Sequence, residues 1–268
     1  MRPGRAAITS TFVKARVQDG VLEVFIDRAD KRNALSQAVL SDLGARFREH
    51  ARATDLLFAV VRGAGERCFA AGGDLHEFED LREPSAVRAM NRGSTAALDA
   101  IRDFPVPVIA AMNGDAIGGG AELAVACDMR VFARHARIGF VQGQMGISPA
   151  WGGGADLLQL VGPATALRMM SRAEFLDADS ARAAGLADAI QGADEDFDTA
   201  LAQFLAPLRE RKPQVMRAFK ALARAARQSD AWRAVRAVEP AFLEETWLHP
   251  DHWAASGAAI ARIAAKKA

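Results

Sequence analysis

A glycine-rich segment that runs into a glutamate is the part of this sequence best suited to chemistry. It reads Asn113-Gly114-Asp115-Ala116-Ile117-Gly118-Gly119-Gly120-Ala121-Glu122 and follows a short apolar run typical of a buried strand. N–H groups at the start of a helix can bind negative charge, because no carbonyl of the helix accepts them. Glu122 would lie about one turn further along, close to whatever those groups hold. The pattern indicates polarisation of a carbonyl oxygen together with proton transfer.

Two further glycine-rich segments resemble it: Cys68-Phe69-Ala70-Ala71-Gly72-Gly73-Asp74-Leu75, and residues 146–154. Each is expected to follow a strand and to precede a helix. One N–H donor from the first segment and one from the Gly118–120 turn could together hold a thioester oxygen, and removing one such donor typically costs about 2.7–4 kcal/mol. The alternative is that the segments are tight turns and that Glu122 only caps its helix.

Several other kinds of site are excluded by their motifs. The phosphate-binding loop is absent, and the three glycines at 118–120 do not continue into the dinucleotide fingerprint. Ser148 nearly matches a serine nucleophile elbow, but Pro149 has no N–H to give to an oxyanion. No cluster has metal-ligand spacing, since His76-Glu77 lacks the second histidine of a zinc-protease helix.

Composition limits the partners and the compartment. The 268 residues carry a net charge of +1, so no global field favours nucleic acid or an acidic membrane. The longest apolar runs fall well short of the roughly 20 residues of a membrane span. The basic start, residues 1–5, is followed by no apolar stretch, and Cys68 and Cys127 form no disulfide framework. These features predict a cytoplasmic protein that binds neither nucleic acid nor membranes.

Strand and helix patterns alternate up to about residue 190, which predicts an α/β fold with parallel pairing. Beyond that point the sequence is rich in Ala and Arg at helical spacing, with no strand signal. The sequence therefore predicts a core at residues 1–192 and a helical C-terminal region at residues 193–268.

These segments resemble the crotonase superfamily, the enoyl-CoA hydratase/isomerase fold. The resemblance is carried by Lys31-Arg32-Asn33-Ala34-Leu35, by both glycine segments described above, by Cys127-Asp128 and by Gly185-Leu186-Ala187-Asp188. It implies a ClpP-like spiral of ββα repeats and a helical C-terminal region that assembles homotrimers or dimers of trimers. It also implies an acyl-CoA substrate, no metal, and no cofactor apart from the coenzyme A that the substrate carries.

The resemblance also implies roles for individual residues. Gly73 and Gly119 would supply the two oxyanion N–H groups, and Glu122 matches the first of two catalytic glutamates. Gln142 stands at the position of the second, where an amide can orient a group but cannot act as an acid or base. The residues expected on the coenzyme A side are Lys31, Arg32, Ala71, Asp74 and Leu75. Those expected around the acyl pocket are Ala70, Gly118, Met145 and Trp151.

The departure at Gln142 leaves the reaction open. Hydration or isomerisation of an enoyl-CoA is the first expectation, with Glu122 as the one catalytic carboxylate. Phe140-Val141, Met145-Gly146-Ile147 and Trp151-Gly152-Gly153 resemble ethylmalonyl-CoA decarboxylases, for which one proton donor suffices. The third alternative is a non-catalytic protein that binds CoA esters as a scaffold.

Overall fold

The computed structural model describes residues 12–265, so the prediction about the basic start lies outside the described residues. Ten strands and ten α-helices are found within residues 12–265. The strands are β1 (Val13–Gln18), β2 (Val21–Ile26), β3 (Phe58–Gly63), β4 (Cys68–Ala70), β5 (Val108–Met112), β6 (Asp115–Ile117), β7 (Met129–Phe132), β8 (Arg137–Gly139), β9 (Phe175–Asp177) and β10 (Ala189–Ile190). The helices are α1 (Gln37–His50), α2 (Leu75–Phe78), α3 (Pro84–Arg102), α4 (Gly119–Ala126), α5 (Gly153–Arg172), α6 (Ala178–Ala183), α7 (Phe197–Arg209), α8 (Pro213–Arg227), α9 (Asp230–Leu248) and α10 (Pro250–Ala265).

The strands form two sheets that the chain visits alternately. One has the order β1-β2-β3-β5-β7-β10, and the other has the order β4-β6-β8-β9. Within each repeat the first strand (β3, β5 or β7) joins the larger sheet and the second (β4, β6 or β8) joins the smaller, and helices follow. Strands from successive repeats pair in parallel. This arrangement is the expected spiral of ββα repeats.

The core lies around the larger sheet, whose central strands are buried on both faces as an apolar β-branched sequence predicts. The hairpin of β1 and β2 turns at Asp19 and Gly20, which both have positive φ, as the Asp-Gly pair predicts. Helix α1 begins after Ser36, whose hydroxyl accepts the N–H of Val39 at 3.2 Å. Serine is among the residues that favour this capping position.

The helices from residue 197 onward pack back on the core. On α8, Lys220 donates to Asp128 at 2.7 Å, just beyond the end of α4. On α9, Trp247 donates its indole N–H to Leu81 O at 2.9 Å. Helix α10 contacts α2 and the 3₁₀ segment Gln142–Met145. The division into two domains near residue 192 stays a prediction.

Three features differ from the sequence expectation. The three-residue strands β4, β6 and β9 were not predicted, since they are too short to show periodicity. The third glycine segment follows the 3₁₀ segment Gln142–Met145 rather than a strand. The helix expected after the third glycine segment is α5, and it has a break in helical geometry at Gly162 that was not expected. None of the helices in the described part is both long and apolar enough to cross a membrane.

Candidate active site

A cavity of about 800 Å³ lies where the turns after β4 and β6 meet helices α9 and α10. The two strands pair in parallel, so their carboxyl ends deliver both turns to the same place. Much of the wall is apolar and includes Met90, Ile147, Trp151, Leu243 and Trp247. A large apolar cavity with a few convergent polar groups is typical of a small-molecule site.

The turn after β4 places the Gly73 N–H at the cavity. Leu35 pairs with Gly73 in an isolated parallel bridge, and the Leu35 N–H donates to Gly72 O at 2.8 Å. Gly72 has a φ of +87°, and a Cβ there would lie 2.8 Å from Ile117 O, so the turn requires glycine. Within residues 12–265 no carbonyl or side chain accepts the Gly73 N–H. That donor is therefore available to a ligand.

The turn after β6 provides a second donor beside the first. Gly118, with φ +55° and ψ −115°, precedes α4, so Gly119 is the first helical residue and its N–H has no acceptor in the helix. A Cβ at Gly120 would lie 2.7 Å from the carbonyl carbon of Ala70, which shows that α4 packs directly on β4. A Cβ at Gly72 would lie 3.4 Å from the Gly119 nitrogen. The two turns thus lie side by side.

Glu122 projects from the first turn of α4 into the cavity wall and is 3% exposed. Its Oε2 accepts the N–H groups of Trp151 at 2.8 Å and Gly153 at 3.0 Å. Its Oε1 accepts the Nε2 of Gln142 at 3.1 Å. Burial raises the pKa of Glu122, and these three hydrogen bonds partly offset the rise. The group is therefore a fixed carboxyl that keeps its proton to a higher pH than a solvated glutamate does.

Gln142 contacts Glu122 directly, as its place in the sequence suggested. Its Nε2 donates to the carboxylate, whereas its Oε1 is buried at the cavity and has no hydrogen-bond partner among the residues that the structure describes. A buried acceptor without a partner costs about 1–3 kcal/mol. A water or ligand with an O–H or N–H group would satisfy it.

Most of the predicted site residues line the cavity. Those that do are Gly73, Gly119, Glu122, Gln142, Arg32, Ala71, Leu75, Gly118, Met145 and Trp151. Three others lie outside the lining, and their expected contact with coenzyme A or the acyl group stays a prediction. Ala70 is fully buried beneath Gly120, Lys31 is exposed, and the Asp74 carboxylate accepts from Arg28 Nη2 at 3.0 Å.

Other cavity residues were missed by sequence reasoning. Arg67 and Arg262 lie at the cavity with Arg32, but an exposed arginine carries no sequence signal that separates it from a solvated one. His252 also lines the wall, with its Nδ1 donating to Met145 O at 2.6 Å, and burial lowers its pKa. It comes from the C-terminal region, which was interpreted only as an assembly surface.

A second buried glutamate, also unforeseen, lies behind the cavity wall at the start of α5. The Oε2 of Glu239 accepts the N–H of Gly152 at 2.8 Å, and its Oε1 accepts the N–H of Ala155 at 2.8 Å. Trp151 and Gly153 donate to Glu122, so the donors to the two glutamates alternate along the chain. Burial, followed by the charge of Glu122, raises the pKa of Glu239 to about 7.

The structure also bears on Ser148 and on the metal-ligand residue types. Among the described residues, the buried hydroxyl of Ser148 has no hydrogen-bond partner, whereas a serine nucleophile needs a base within reach. Within residues 12–265, no three or more His, Cys, Asp or Glu side chains are grouped so as to hold a metal ion.

Comparison with known proteins agrees with this arrangement. The family model for enoyl-CoA hydratase/isomerase matches residues 16–256. An ethylmalonyl-CoA decarboxylase from Xenopus laevis is 33% identical over 176 residues, which are 66% of this chain and 58% of that protein. A short-chain-enoyl-CoA hydratase from Clostridium acetobutylicum is 32% identical over 182 residues, covering 67% of this chain and 69% of its own. The chain thus spans under three quarters of either relative's length.

The fold has close counterparts among solved structures. An enoyl-CoA hydratase/isomerase from Mycobacterium paratuberculosis superimposes with a TM-score of 0.84 at 22% identity, covering 93% of this chain and 99% of its own. At that identity the likeness concerns the fold, and it confirms the predicted crotonase architecture. The family match over most of the chain and the shared spiral lead to one conclusion: this chain belongs to the enoyl-CoA hydratase/isomerase family of the crotonase superfamily.

Proposed function

We propose that this protein is an enzyme that binds an acyl-CoA thioester and stabilises the enolate formed from it. The N–H groups of Gly73 and Gly119 hold the thioester oxygen, and Glu122 transfers the proton. The observation that carries the proposal is the buried Glu122 carboxyl beside two adjacent turns, each with an unbonded N–H at one cavity. Donors preorganised for a developing oxyanion are a main source of catalysis in such sites.

Hydration of an enoyl-CoA is the reaction that this site supports best. Gln142 Oε1, which lacks a donor, and Glu122 Oε1 can together orient a water. The water oxygen bonds to the β-carbon while its proton passes to Glu122, and the electrons of the double bond move to the thioester oxygen. Glu122 then returns the proton to the α-carbon as the carbonyl reforms. Isomerisation of the double bond needs the same group to move a proton between two carbons.

Coenzyme A enters as part of the substrate in this proposal, with no separate cofactor. Arg32, Arg67 and Arg262 line the cavity and supply positive charge for its phosphates. The lining between these arginines and Glu122 is mainly backbone and apolar side chains, which suits the acyl chain.

Replacing Glu122 by Gln tests the proton-transfer role. We expect hydration of crotonyl-CoA to fall by about 10²–10⁴-fold, because an amide cannot accept or release the proton. Binding of the CoA ester, measured by calorimetry, should change little. Glu245→Gln, which alters an exposed glutamate on α9, is the matched control. Unchanged turnover in Glu122→Gln contradicts the assignment.

Decarboxylation of an alkylmalonyl-CoA is a second candidate, favoured by the amide at position 142. A second carboxylate there would repel a substrate that carries its own, whereas Gln142 does not. In this reaction the bond between the α-carbon and the carboxylate breaks, carbon dioxide leaves, and the electrons form the enolate. A protonated Glu122, consistent with its raised pKa, then protonates the α-carbon.

A substrate comparison separates the candidates. Crotonyl-CoA hydration is measured against carbon dioxide release from ethylmalonyl-CoA and methylmalonyl-CoA. Gln142→Glu sharpens the comparison, because a second carboxylate should raise KM for the malonyl esters far more than for crotonyl-CoA. Binding of all three esters without turnover would instead favour a non-catalytic scaffold. A cytoplasmic location and the absence of nucleic-acid and membrane partners stay predictions.

A further inference from the structure

The glutamate behind the cavity wall, Glu239, has no part in the mechanism above, yet it shares a helix end with Glu122. Four N–H groups at the start of α5 are divided between the two side chains, two for each. Glu239 is 8% exposed and Glu122 is 3% exposed. A helix start leaves four N–H groups without acceptors, and a short uncharged side chain or water can accept them. Two buried carboxyls in that role carry a desolvation cost that calls for a separate explanation.

The charges around this pair balance only one ionised glutamate. The neighbouring cations are Arg102 on α3, Arg227 on α8 and Arg236 on α9, and their aspartate partners are Asp99 and Asp156. The three arginines exceed the two aspartates by one positive charge. The nearby Lys220 and Asp128 pair with each other and cancel. Two ionised glutamates would leave a buried negative charge without compensation, which is costly.

The arginines also reach the turn that separates the two carboxyls. A Cβ at Gly152 would lie 2.5 Å from Arg236 Nη1 and 2.9 Å from Arg102 Nη2. Both guanidinium groups are already bonded to aspartates, so neither forms an ion pair with a glutamate. Within residues 12–265, every hydrogen bond that Glu239 and Glu122 accept comes from an uncharged donor. Glu239 therefore responds to the charge of Glu122 more than to that of Arg236 or Arg102.

We propose that Glu239 is the second carboxylate of this site: across the Gly152–Ala155 turn it shares one proton with Glu122, and so sets the pH range in which Glu122 transfers protons. Glu239 is then a positioning residue that acts through Glu122 rather than on the substrate. The raised pKa of Glu239, about 7, agrees with this geometry. The effect on turnover rests on the proposed function, whereas the shared proton is a property of the free protein.

The shared proton can be tested on the unaltered protein. Infrared titration from about pH 5 to about pH 8 should show the signal of a buried protonated carboxyl that disappears as pH rises, because one glutamate of the pair then ionises. Glu239→Gln should remove that transition, whereas Glu245→Gln, on the exposed face of the same helix, should retain it. Absence of the transition in the unaltered protein overturns the proposal, and no variant needs to fold for that outcome.

The pH profile of kcat/KM tests the effect on Glu122. Without a second negative charge, Glu122 should ionise more easily, so Glu239→Gln should move the profile to lower pH by about 1–2 units. A role as a helix cap alone would lower activity equally at every pH and leave the midpoint unmoved, which overturns the proposal. An intact infrared transition in a protein that turns over no CoA ester supports the shared proton and contradicts the proposed function.

Discussion

The ring of Trp151 lies directly on Gly119, where a Cβ would come within 2.7 Å of the ring atom Cη2. The same tryptophan donates its backbone N–H to Glu122 at 2.8 Å. A bulkier residue in the turn would therefore displace the ring and, through it, a hydrogen bond to the carboxylate. The candidate site therefore depends on the missing side chain at Gly119 as much as on the side chains of Trp151 and Glu122.

Gly119→Ala should damage both stability and turnover. Overpacking against Trp151 is expected to cost about 1–3 kcal/mol of unfolding free energy. Turnover should fall at least about 10-fold, since the displaced ring disturbs the Glu122 hydrogen bonds. Chemical denaturation and crotonyl-CoA hydration measure the two effects.

The control for that substitution is Gly257→Ala on α10, where a Cβ would meet nothing within 4 Å. Alanine there should stabilise the protein by about 0.5–1 kcal/mol, because glycine is the poorer helix former. If Gly119→Ala is as well tolerated as the control, the packing of Trp151 is not important for the site.

At the scale of elements, the sequence predicts the long helices well and the short strands badly. Helices α7–α10 all lie in the region that the sequence predicts to be helical, because each has many residues over which an apolar face repeats. Strands β4, β6 and β9 have three residues each, too few to show alternation. Those strands are stabilised by pairing with distant segments, which a local pattern cannot reveal.

Some residues of the candidate site could also be predicted from the sequence, and others could not. The glycine turns and Glu122 were found from the sequence because their residue types are unusual for a structural turn. Glu239 was not, since a glutamate within an amphipathic helix is usually solvated. Only the packing of α9 on α5 shows that this one is buried.

The contact between α3 and α5 depends on Arg102, whose side chain is 3% exposed. It donates to Asp156 at 2.8 Å, to Asp99 at 2.9 Å and to Trp151 O at 2.9 Å. Arg102→Met should therefore cost about 3–5 kcal/mol of unfolding free energy, because it leaves the buried Asp156 carboxylate without its closest cation.

The matched control is Arg233→Ala, which removes an exposed pair with Asp230. It should change the unfolding free energy by no more than about 0.5 kcal/mol. Denaturant titration measures both variants, and similar losses in the two would show that the α3–α5 contact does not depend on the buried pair.

At the scale of the whole molecule, burial of Glu239 makes the stability of the protein depend on pH. Its pKa rises from 4.5 to about 7 on folding, so the folded state binds the proton more tightly. Binding of this proton adds to the unfolding free energy. The added stability is complete below about pH 4.5 and is lost as pH rises through about 7. Glu239→Gln should abolish this part of the pH dependence of the unfolding free energy, which amounts to on the order of 2–3 kcal/mol. Unfolding free energies of both proteins at several pH values measure the difference, and parallel curves would contradict it.

Assembly into homotrimers or dimers of trimers stays a prediction for the whole molecule. Three large apolar side chains on the C-terminal helices are more than half exposed, namely Phe219, Leu222 and Phe242. Exposed apolar side chains that lie together can mark an interaction site. Light scattering should give a multiple of three chains of 28.6 kDa, and Leu222→Arg should lower that mass. A monomer before substitution contradicts the prediction.

The contribution of α9 and α10 to the cavity also has a consequence for synthesis on the ribosome. Strands β1–β10, both glycine turns and Glu122 emerge before Leu243, Trp247 and His252 and can form the spiral without them. A nascent chain that ends before α9 would hold the Glu122 carboxyl in an open groove without its buried partner Glu239. Ligand affinity in stalled nascent chains would therefore appear only after α9 and α10 have emerged, so CoA-ester binding would report the docking of these two helices rather than the folding of the sheets.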